Sequence, residues 1–277
     1  AGLTPARSDG SMAATPPSAP VPLLDLQAQY RPLREALLAA VTRVCDSQRC
    51  ILGEEVVALE QELAAYLGVG HALGVSSGTD ALVAALMALE IGAGDEVITP
   101  TFSFFASAGS VVRVGARPVF VDIDPRTFNL DVEAVAKAIT PRTKAIMPVH
   151  LYGQAADMTA LMAVATARGL AVIEDAAQAI GARDGGTAVG GLGTIGCFSF
   201  YPTKVITSAE GGMIVTDDEA LYQEALIYRD QGKAGFTTNF HTRLGSNWRL
   251  SEVHAAIGLS QFRRLGEFID HRNAIAA

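Results

Sequence analysis

The sequence contains only three cysteines, Cys45, Cys50 and Cys197, and no two of them form a CxxC pair. Because three cysteines cannot all pair within one chain, a reducing compartment, the cytoplasm, is favoured. Positive charge is also scarce, since 21 Lys and Arg residues stand against 29 Asp and Glu residues, a formal net charge of −8. With no basic cluster to reverse this balance, we expect neither a nucleic-acid partner nor an anionic membrane surface.

Long apolar runs are absent as well, although 49% of the residues are apolar. No run approaches the ~20 residues that a membrane-spanning helix needs. Residues 1–20 lack the apolar core of a signal peptide. Their Ala, Pro and Ser content predicts a disordered tail, in which residues 10–12, Gly-Ser-Met, could be left over from cloning. The rest of the chain has enough apolar residues for one large domain.

From Val69 onwards, short apolar runs alternate with amphipathic segments, which is the pattern of βα units around a mostly parallel sheet. Strands are predicted at Ala72–Val75, Glu96–Pro100, Arg117–Val121, Lys144–Pro148, Leu170–Ile173, Cys197–Phe200 and Gly212–Val215. Helices are predicted near Pro32–Cys45, Glu54–Leu67, Thr79–Glu90, Ser103–Val114, Asp131–Ala138, Asp157–Ala167 and Asp218–Arg229. A last long helix is predicted to start at Ser251, and the chain stops inside a helical segment without a stop signal.

One lysine stands in an unusually apolar segment, residues 196–216. Lys204 lies between an aromatic, strand-like run that ends at Tyr201 and a Glu-Gly-Gly turn that leads into a second apolar strand. An apolar setting destabilises an ammonium group and lowers its pKa, as a Schiff-base lysine requires. A strand-end lysine whose amine simply reaches water gives the same local pattern, so the lysine alone is only suggestive.

Residues 75–82, Val-Ser-Ser-Gly-Thr-Asp-Ala-Leu, form a strand end, a short polar turn and a helix start. Free N–H groups at Gly78 and Thr79, together with the positive end of the helix dipole, would bind an anion. An ordinary helix cap has the same pattern. A Walker loop is not indicated, because no Gly-Lys-Ser/Thr follows.

Two carboxylates, Glu174 and Asp175, end another predicted strand, and Gln178 follows three residues later. Ligands of doubly wound sheets lie at the carboxyl ends of the strands, so Asp175 could face a cofactor while Glu174 points elsewhere. Asp175 could equally start a turn. No metal is expected, since no histidine or further carboxylate stands at ligand spacing.

The remaining candidates are aromatic or polar residues near strand ends. The aromatics of residues 102–105 could stack on a planar ring or pack in the core. Ser199 could donate a hydroxyl to a phosphate or lie on the strand surface. His150 and His241 are possible general bases, although a lone histidine is more often structural or exposed. A phosphate cradle, an acid, an aromatic and a Schiff-base lysine together indicate a pyridoxal phosphate site.

From about Val21 to its end, the chain resembles the DegT–DnrJ–StrS sugar aminotransferases. The matching segments include VPLLDL, ILGEEV, GVSSGTDAL, GAGDEVITPTFSFFA, VIEDAAQAIGA, CFSFYPTK, EGGMIVT and GSNWRLSEVHAAIGL. The resemblance implies fold type I, an α/β three-layer sandwich with a mostly parallel central sheet, like that of aspartate aminotransferase. It implies a pyridoxal-phosphate-binding large domain over residues 21–265. Residues 266–277 would then begin a helix that leads to a small C-terminal domain, which the chain lacks.

The resemblance also implies roles for particular residues. Lys204 would form the Schiff base with the cofactor, Asp175 would pair with the ring nitrogen, and Gln178 would contact the side of the ring hydroxyl. Phe104 would stack on the ring. The phosphate would be held by Gly78, Thr79, Ser199 and, from a partner subunit, Asn247. A shared site of this kind implies a homodimer.

The implied reaction moves an amino group from glutamate to a nucleotide-linked keto-deoxysugar, giving an aminosugar for an antibiotic or a surface polysaccharide. The cofactor would alternate between pyridoxal phosphate and pyridoxamine phosphate, and Lys204 would move the proton. Glu210, in the turn Ala-Glu-Gly-Gly, resembles members that aminate position 4, which favours a 4-keto-6-deoxyhexose. Val205 resembles members that aminate keto-cyclitols, so a keto-cyclitol and a 3-keto sugar remain alternatives. A truncated paralogue that binds cofactor without turnover is the non-enzymatic alternative.

Overall fold

The computed structural model describes Pro22, residues 24–233, Gly235 and residues 239–277, so the tail predicted over residues 1–20 lies outside the described residues. The helices are α1 Leu26–Tyr30, α2 Arg34–Ser47, α3 Glu54–Leu67, α4 Gly78–Ala88, α5 Phe105–Arg113, α6 Val132–Ala138, α7 Met158–Arg168, α8 Glu219–Arg229, α9 Glu252–Phe262 and α10 Leu265–Ala276. The strands are β1 His71–Val75, β2 Glu96–Pro100, β3 Arg117–Val121, β4 Thr143–Ile146, β5 Ala171–Asp175, β6 Arg183–Asp184, β7 Thr187–Ala188, β8 Ile195–Ser199 and β9 Gly212–Thr216.

Seven of the strands form one central sheet in the order β1-β9-β8-β5-β4-β2-β3. Strand β9 runs antiparallel to both of its neighbours, whereas β8, β5, β4, β2 and β3 pair in parallel. Helices α4 and α8 cover one face, and α3 and α9 cover the other face beside β1 and β9. The predicted α/β architecture with a mostly parallel central sheet between helical layers is therefore confirmed.

The alternation of side chains along the strands explains both apolar layers. Ala72 packs with the α3 and α9 cluster, whereas the next residue, Leu73, packs with the α4 cluster on the opposite face. In β5, Val172 and Ile173 divide between the two faces in the same way. Because both faces are buried, these strands read as nearly continuous apolar runs.

The direction of β9 places a long loop at one edge of the sheet. Strand β8 ends at Ser199 and β9 begins at its pairing partner Gly212, so residues 200–211 join the two strands at the carboxyl edge. Strand β1 also ends there, because its last residue, Val75, pairs with Gly212. Strand β5 runs parallel to β8 and ends at the same edge with Asp175.

One helix prediction was wrong. Ser251 is the N-cap as expected, but the helix that it starts ends at Phe262, and α10 begins at Leu265 instead of continuing the same helix. Arg264 leaves the helical conformation with φ −111° and ψ 10°. Phe262 and Leu265 are both buried, so the chain turns where it can cover two apolar side chains. The division between residues 265 and 266 stays a prediction.

The short β6–β7 hairpin was not predicted, because two residues in each strand carry no readable alternation.

A buried acid connects two helices, α9 and α3, that are far apart in the chain. Glu252, in the first turn of α9, accepts hydrogen bonds from the backbone N–H groups of Gly53, Glu55 and Val56 at the start of α3. The Glu252 carboxylate, which belongs to α9, therefore caps the N-terminus of α3.

No helix in the described ranges is long and apolar enough to cross a bilayer.

Candidate active site

The turn between β1 and α4 presents an open helix N-terminus. Ser77 is extended and caps the helix, since its hydroxyl accepts from the backbone N–H of Asp80 at 3.0 Å. The first residues of the helix are Gly78 and Thr79, whose N–H groups have no carbonyl of the preceding turn to bind. The positive end of the helix dipole lies at the same place. Both residues expected to bind an anion thus lie at the helix start.

The turn is packed against two other strands. A Cβ atom added to Gly78 would lie 2.6 Å from the Cβ of Ser199, so Ser199 lies directly beside the helix start. A Cβ atom on Gly212 would collide with the carbonyl oxygen of Ser77. Gly212 is therefore needed for this packing, a role that the sequence analysis missed although the Glu-Gly-Gly turn was recognised.

The Asp80 carboxylate accepts hydrogen bonds from both serine hydroxyls of the turn. Its Oδ2 accepts from the hydroxyls of Ser76 and Ser77 at 2.7 and 2.9 Å, and Arg113 lies 3.5 Å from its Oδ1. Within the described part of the chain, the Ser199 hydroxyl has one hydrogen-bond partner, the N–H of Tyr201 at 3.4 Å, from which it accepts, so its hydrogen is free to donate. Among the described residues of this turn, the backbone N–H groups of Gly78 and Thr79 and the hydroxyls of Thr79 and Ser199 are consequently the donors that remain for an anion.

We expect Gly78→Ala to weaken the binding of pyridoxal phosphate by at least about tenfold, because the added methyl group would displace Ser199 from the helix start. The affinity can be measured by fluorescence titration with pyridoxal phosphate and with pyridoxal, which lacks the phosphate. The preference of the wild-type protein for the phosphorylated form should largely disappear in the variant.

Gly266→Ala is the matched control, since nothing lies within 4 Å of a Cβ atom at that helical glycine. It should leave both affinities unchanged. Equal preference for the phosphorylated form in wild type and Gly78→Ala would contradict the assignment of the phosphate site.

Asp175 is a buried acid at the carboxyl edge. Its Oδ2 accepts from the Ser107 hydroxyl of α5 at 2.7 Å, and its Oδ1 accepts from the N–H of Ala177 at 3.2 Å. Burial raises the pKa of this carboxyl group, and the bond from Ser107 lowers it by less. The charge of Lys204 also lowers this pKa, but by less than burial raises it. Ser107 was missed by the sequence analysis, and its position one helical turn after Ser103 is the signal that could have pointed to it.

Lys204 lies in the loop that joins β8 and β9, with its N–H bound to the carbonyl oxygen of Tyr201 at 3.0 Å. Burial lowers the pKa of its ammonium group, and the nearby charge of Asp175 raises it by less. The loop is anchored on α9, because the N–H of Thr207 donates to Oε1 of Gln261 at 3.0 Å. The structure thus brings Lys204 and Asp175 together, although 29 positions separate them in the chain.

Gln178 follows β5 and is held by its amide oxygen, which accepts from the N–H of Tyr152 at 2.8 Å. The two histidine candidates differ. His150 is fully buried and uses both ring nitrogens, towards Glu174 and the N–H of Ala156, so it is not free to act as a general base. His241 is exposed, with Nδ1 2.8 Å from the carbonyl oxygen of Gln231.

Two expected site residues lie at the surface of this single chain. Phe104 is the N-cap residue of α5 and its side chain is 69% exposed. Asn247 is exposed, and its backbone forms an isolated bridge with Asp230. Their roles towards the ring and the phosphate stay predictions. Among the described residues, no group of three or more His, Cys, Asp or Glu side chains could hold a metal ion.

Comparison with known proteins identifies the family of the chain. Residues 32–277 match the family model described as the DegT/DnrJ/EryC1/StrS aminotransferase family. The chain is 49% identical over 257 residues to a UDP-N-acetyl-3-dehydro-alpha-D-glucosamine 3-aminotransferase of Acidithiobacillus ferrooxidans, covering 92% of this chain and 69% of that protein. It is 47% identical over 224 residues to the GDP-perosamine synthase of Caulobacter vibrioides, covering 81% and 60%.

A solved structure agrees with these relatives. NtdA of Bacillus subtilis, with bound cofactor PMP, superposes with a TM-score of 0.83 at 36% identity, covering 88% of this chain and 56% of that chain. The chain thus spans between 56% and 69% of the length of these three proteins. Its fold is that of the pyridoxal-phosphate-dependent sugar aminotransferases. Within that class, the chain belongs to the DegT/DnrJ/EryC1/StrS aminotransferase family, which confirms the resemblance noted in its sequence.

Proposed function

We propose that this protein transfers an amino group from glutamate to a nucleotide-linked keto-sugar, with pyridoxal phosphate as the carrier, and so takes part in aminosugar biosynthesis. The observation that carries the proposal is that Lys204 and Asp175 lie close enough at the carboxyl edge of the sheet for the charge of each to affect the pKa of the other. Burial lowers the pKa of Lys204 and raises the pKa of Asp175. These shifts are expected for an amine that must react in its uncharged form and for an acid that is to bind a cationic group.

The residues present fit the cofactor. The helix start at Gly78 offers free N–H groups and no room for a side chain, and Ser199 adds a hydroxyl. Asp175 is buried and its hydrogen-bond partners, Ser107 and the N–H of Ala177, are uncharged, so a protonated ring nitrogen would give its ionised form a cationic hydrogen-bond partner. Gln178 has its amide oxygen occupied, which leaves its NH₂ group to donate to a ring oxygen.

Each of these groups has a definite task. When bound, pyridoxal phosphate supplies an aldehyde that carries the amino group and a ring that withdraws electrons. Asp175 holds the proton on the ring nitrogen, and Ser107 keeps the carboxylate in place. Lys204 acts as the general acid and base, since an amine of lowered pKa can take a proton from a carbon atom and return it.

For the acceptor we propose a 4-keto-6-deoxyhexose, as the turn that contains Glu210 suggested, with a 3-keto sugar as the second candidate. Ala209 and Glu210 are exposed in the lysine loop, where a substrate can reach them. The relative of 49% identity, named for amination at position 3, supports the second candidate. A keto-cyclitol has less support, because Val205 packs against the α3 and α9 cluster, which accounts for a valine at this position.

We also propose a cytoplasmic homodimer whose sites are completed by Asn247 of a second copy. Exposed aromatic and apolar side chains support a covered surface in the assembly: Phe104, Phe105, Tyr201, Phe240 and Leu244. Three free cysteines support a reducing compartment. Light scattering should give twice the chain mass of 28.9 kDa, and a monomer would contradict the shared site.

Turnover of a substrate panel tests the proposed function. The protein loaded with pyridoxal phosphate is incubated with glutamate and with 3-keto or 4-keto sugars linked to UDP, GDP or dTDP, or with a keto-cyclitol, and formation of 2-oxoglutarate is measured. We expect turnover with a 4-keto-6-deoxyhexose and none with the keto-cyclitol. Turnover with the 3-keto sugars alone would replace the acceptor, and cofactor binding without turnover of any sugar would support the non-catalytic alternative.

A further inference from the structure

Glu174, the residue before Asp175, is fully buried on the opposite side of β5. Its Oε1 accepts from the N–H groups of Leu192 and Gly193, and its Oε2 accepts from the N–H of Gly190 at 2.6 Å. His150 completes the set, with Nε2 2.9 Å from Oε2. Since all four groups that contact these oxygens are donors, Glu174 acts as a carboxylate in which each oxygen accepts two hydrogen bonds.

The glycines around Glu174 allow the loop of residues 190–193 to close over the acid. A Cβ atom on Gly193 would lie 2.8 Å from the carbonyl oxygen of Val172, and a Cβ atom on Gly190 would collide with the ring of Phe198. Gly190 also has a φ of 94°, a conformation that residues with a Cβ atom rarely adopt. The carboxylate therefore lies inside a closed ring of backbone donors, and no ligand can reach it.

His150 connects this carboxylate to the active-site strand. Its Nδ1 accepts from the N–H of Ala156 at 3.0 Å, so the hydrogen of the neutral ring is on Nε2 and is donated to Glu174. Its own backbone N–H donates to the carbonyl oxygen of Asp175 at 3.1 Å, and the N–H of Asp175 donates to Pro148 at 2.9 Å. The backbone of Asp175 is thus bound to the segment that His150 holds.

The same segment orients Gln178. Residues 151–153 form a tight turn immediately after His150, in which Tyr152 has a left-handed φ of 55°. In this conformation the N–H of Tyr152 points at the amide oxygen of Gln178, 2.8 Å away. That bond fixes which end of the amide is the donor. The far end of the turn is held by the bond from Ala156 to His150.

We infer that Glu174 and His150 are positioning residues of the active site. Together they hold the Asp175 backbone and the Tyr152 turn in place, so that the side chains of Asp175 and Gln178 can both contact the same cofactor ring. The two residues touch neither cofactor nor substrate. They act because one buried pair connects four segments: the end of β5, residues 147–150, the turn that binds Gln178 and the loop of residues 190–193. This inference rests on the proposed cofactor site.

Two variants of the pair test the inference. Glu174→Gln keeps the shape but turns an NH₂ group towards backbone donors, and His150→Asn keeps an acceptor for Ala156 but loses the donor to Glu174. Glu252→Gln is the matched control, because Glu252 is also a buried carboxylate that accepts from backbone N–H groups, at the start of α3. All three variants should lower the melting temperature of the protein.

The discriminating measurements are made on folded, cofactor-loaded protein at fixed pH. Glu174→Gln and His150→Asn should change the ratio of the long-wavelength to the short-wavelength absorption band of the bound cofactor. They should also weaken pyridoxal phosphate binding by about tenfold, the usual scale for residues that orient ligand-binding groups. Glu252→Gln should leave both quantities at the wild-type values, since its contacts orient no cofactor-binding group.

A purely structural role would give wild-type band ratios and affinities in every folded variant, and that result would overturn the inference. If Glu174→Gln does not fold, His150→Asn decides the question with the same two readouts. The proposed function fails separately, at the first step, if the wild-type protein itself binds no pyridoxal phosphate.

Discussion

Lys204→Ala is expected to abolish the visible absorption that pyridoxal phosphate acquires in the wild-type protein, and to lower amino-group transfer by at least about 10³-fold. In the proposed function, Lys204 supplies both the reactive amine and the general acid and base at the carboxyl edge. Its pKa is lowered by burial in the loop between β8 and β9, and alanine removes the amine. Visible spectra after reconstitution and initial rates with glutamate measure the two effects.

The matched control is Lys137→Ala. Lys137 is highly exposed on α6 and makes only a 3.8 Å ion pair with Glu133, so both readouts should stay at wild-type values. Treatment of the loaded wild-type protein with borohydride should leave the cofactor mass on the peptide that contains Lys204. A visible band that survives in Lys204→Ala would assign the covalent role to another residue.

Asp175→Asn is expected to lower amino-group transfer by about 10²- to 10⁴-fold, the range that proton-holding groups contribute to catalysis. An asparagine keeps the size of the side chain and can still accept from Ser107. It has no charge with which to hold a proton on the ring nitrogen. The electron withdrawal on which the reaction depends would then be lost. Rates at saturating glutamate and sugar isolate this effect from substrate binding.

The same substitution should not destabilise the cofactor-free protein at neutral pH. Burial raises the pKa of Asp175 above its ordinary value of 3.8, so the folded state holds the proton to a higher pH than the unfolded chain does. Stability is therefore lost as the pH rises from 3.8 through the raised pKa. The asparagine side chain cannot ionise, so the variant avoids this loss above that window. Urea unfolding of wild type and variant at acidic and neutral pH measures the difference.

Asp157→Asn is the control for Asp175→Asn. Asp157 caps α7 by accepting from the N–H of Ala160 at 3.0 Å, and asparagine caps helices about as well, so neither rate nor stability should change. A rate of Asp175→Asn equal to the wild-type rate would contradict its proposed contact with the ring nitrogen.

The strands and the turn between β1 and α4 could be predicted well because their signals are local. In β1 and the start of α4, an apolar run, two serines and a glycine follow each other directly, and the structure places the strand end and the helix start there. The break between α9 and α10 was missed because nothing in the local sequence ends the helix. It depends on the burial of Phe262 and Leu265 against distant residues.

The residues of the site divide in the same way, into those with a local sequence signal and those that depend on distant partners. Lys204, Asp175 and Gly78 were recognised from their types and their places at strand ends. Ser107, Gly212 and the pair of His150 and Glu174 were not assigned these roles, since each acts through a partner far away in the chain.

The sequence by itself determined the family of this protein and its α/β pattern, and it supplied the candidates for its reactive residues, because strand periodicity, turn residues and motif order are written in neighbouring positions. The tertiary structure alone decided the chemical state of those residues. The lowered pKa of Lys204 and the raised pKa of Asp175 arise from burial and mutual charge, which exist only when β1, β5, β8 and β9 meet at one edge. Desolvation and Coulomb interactions depend on distances in space, and a sequence contains only distances along the chain.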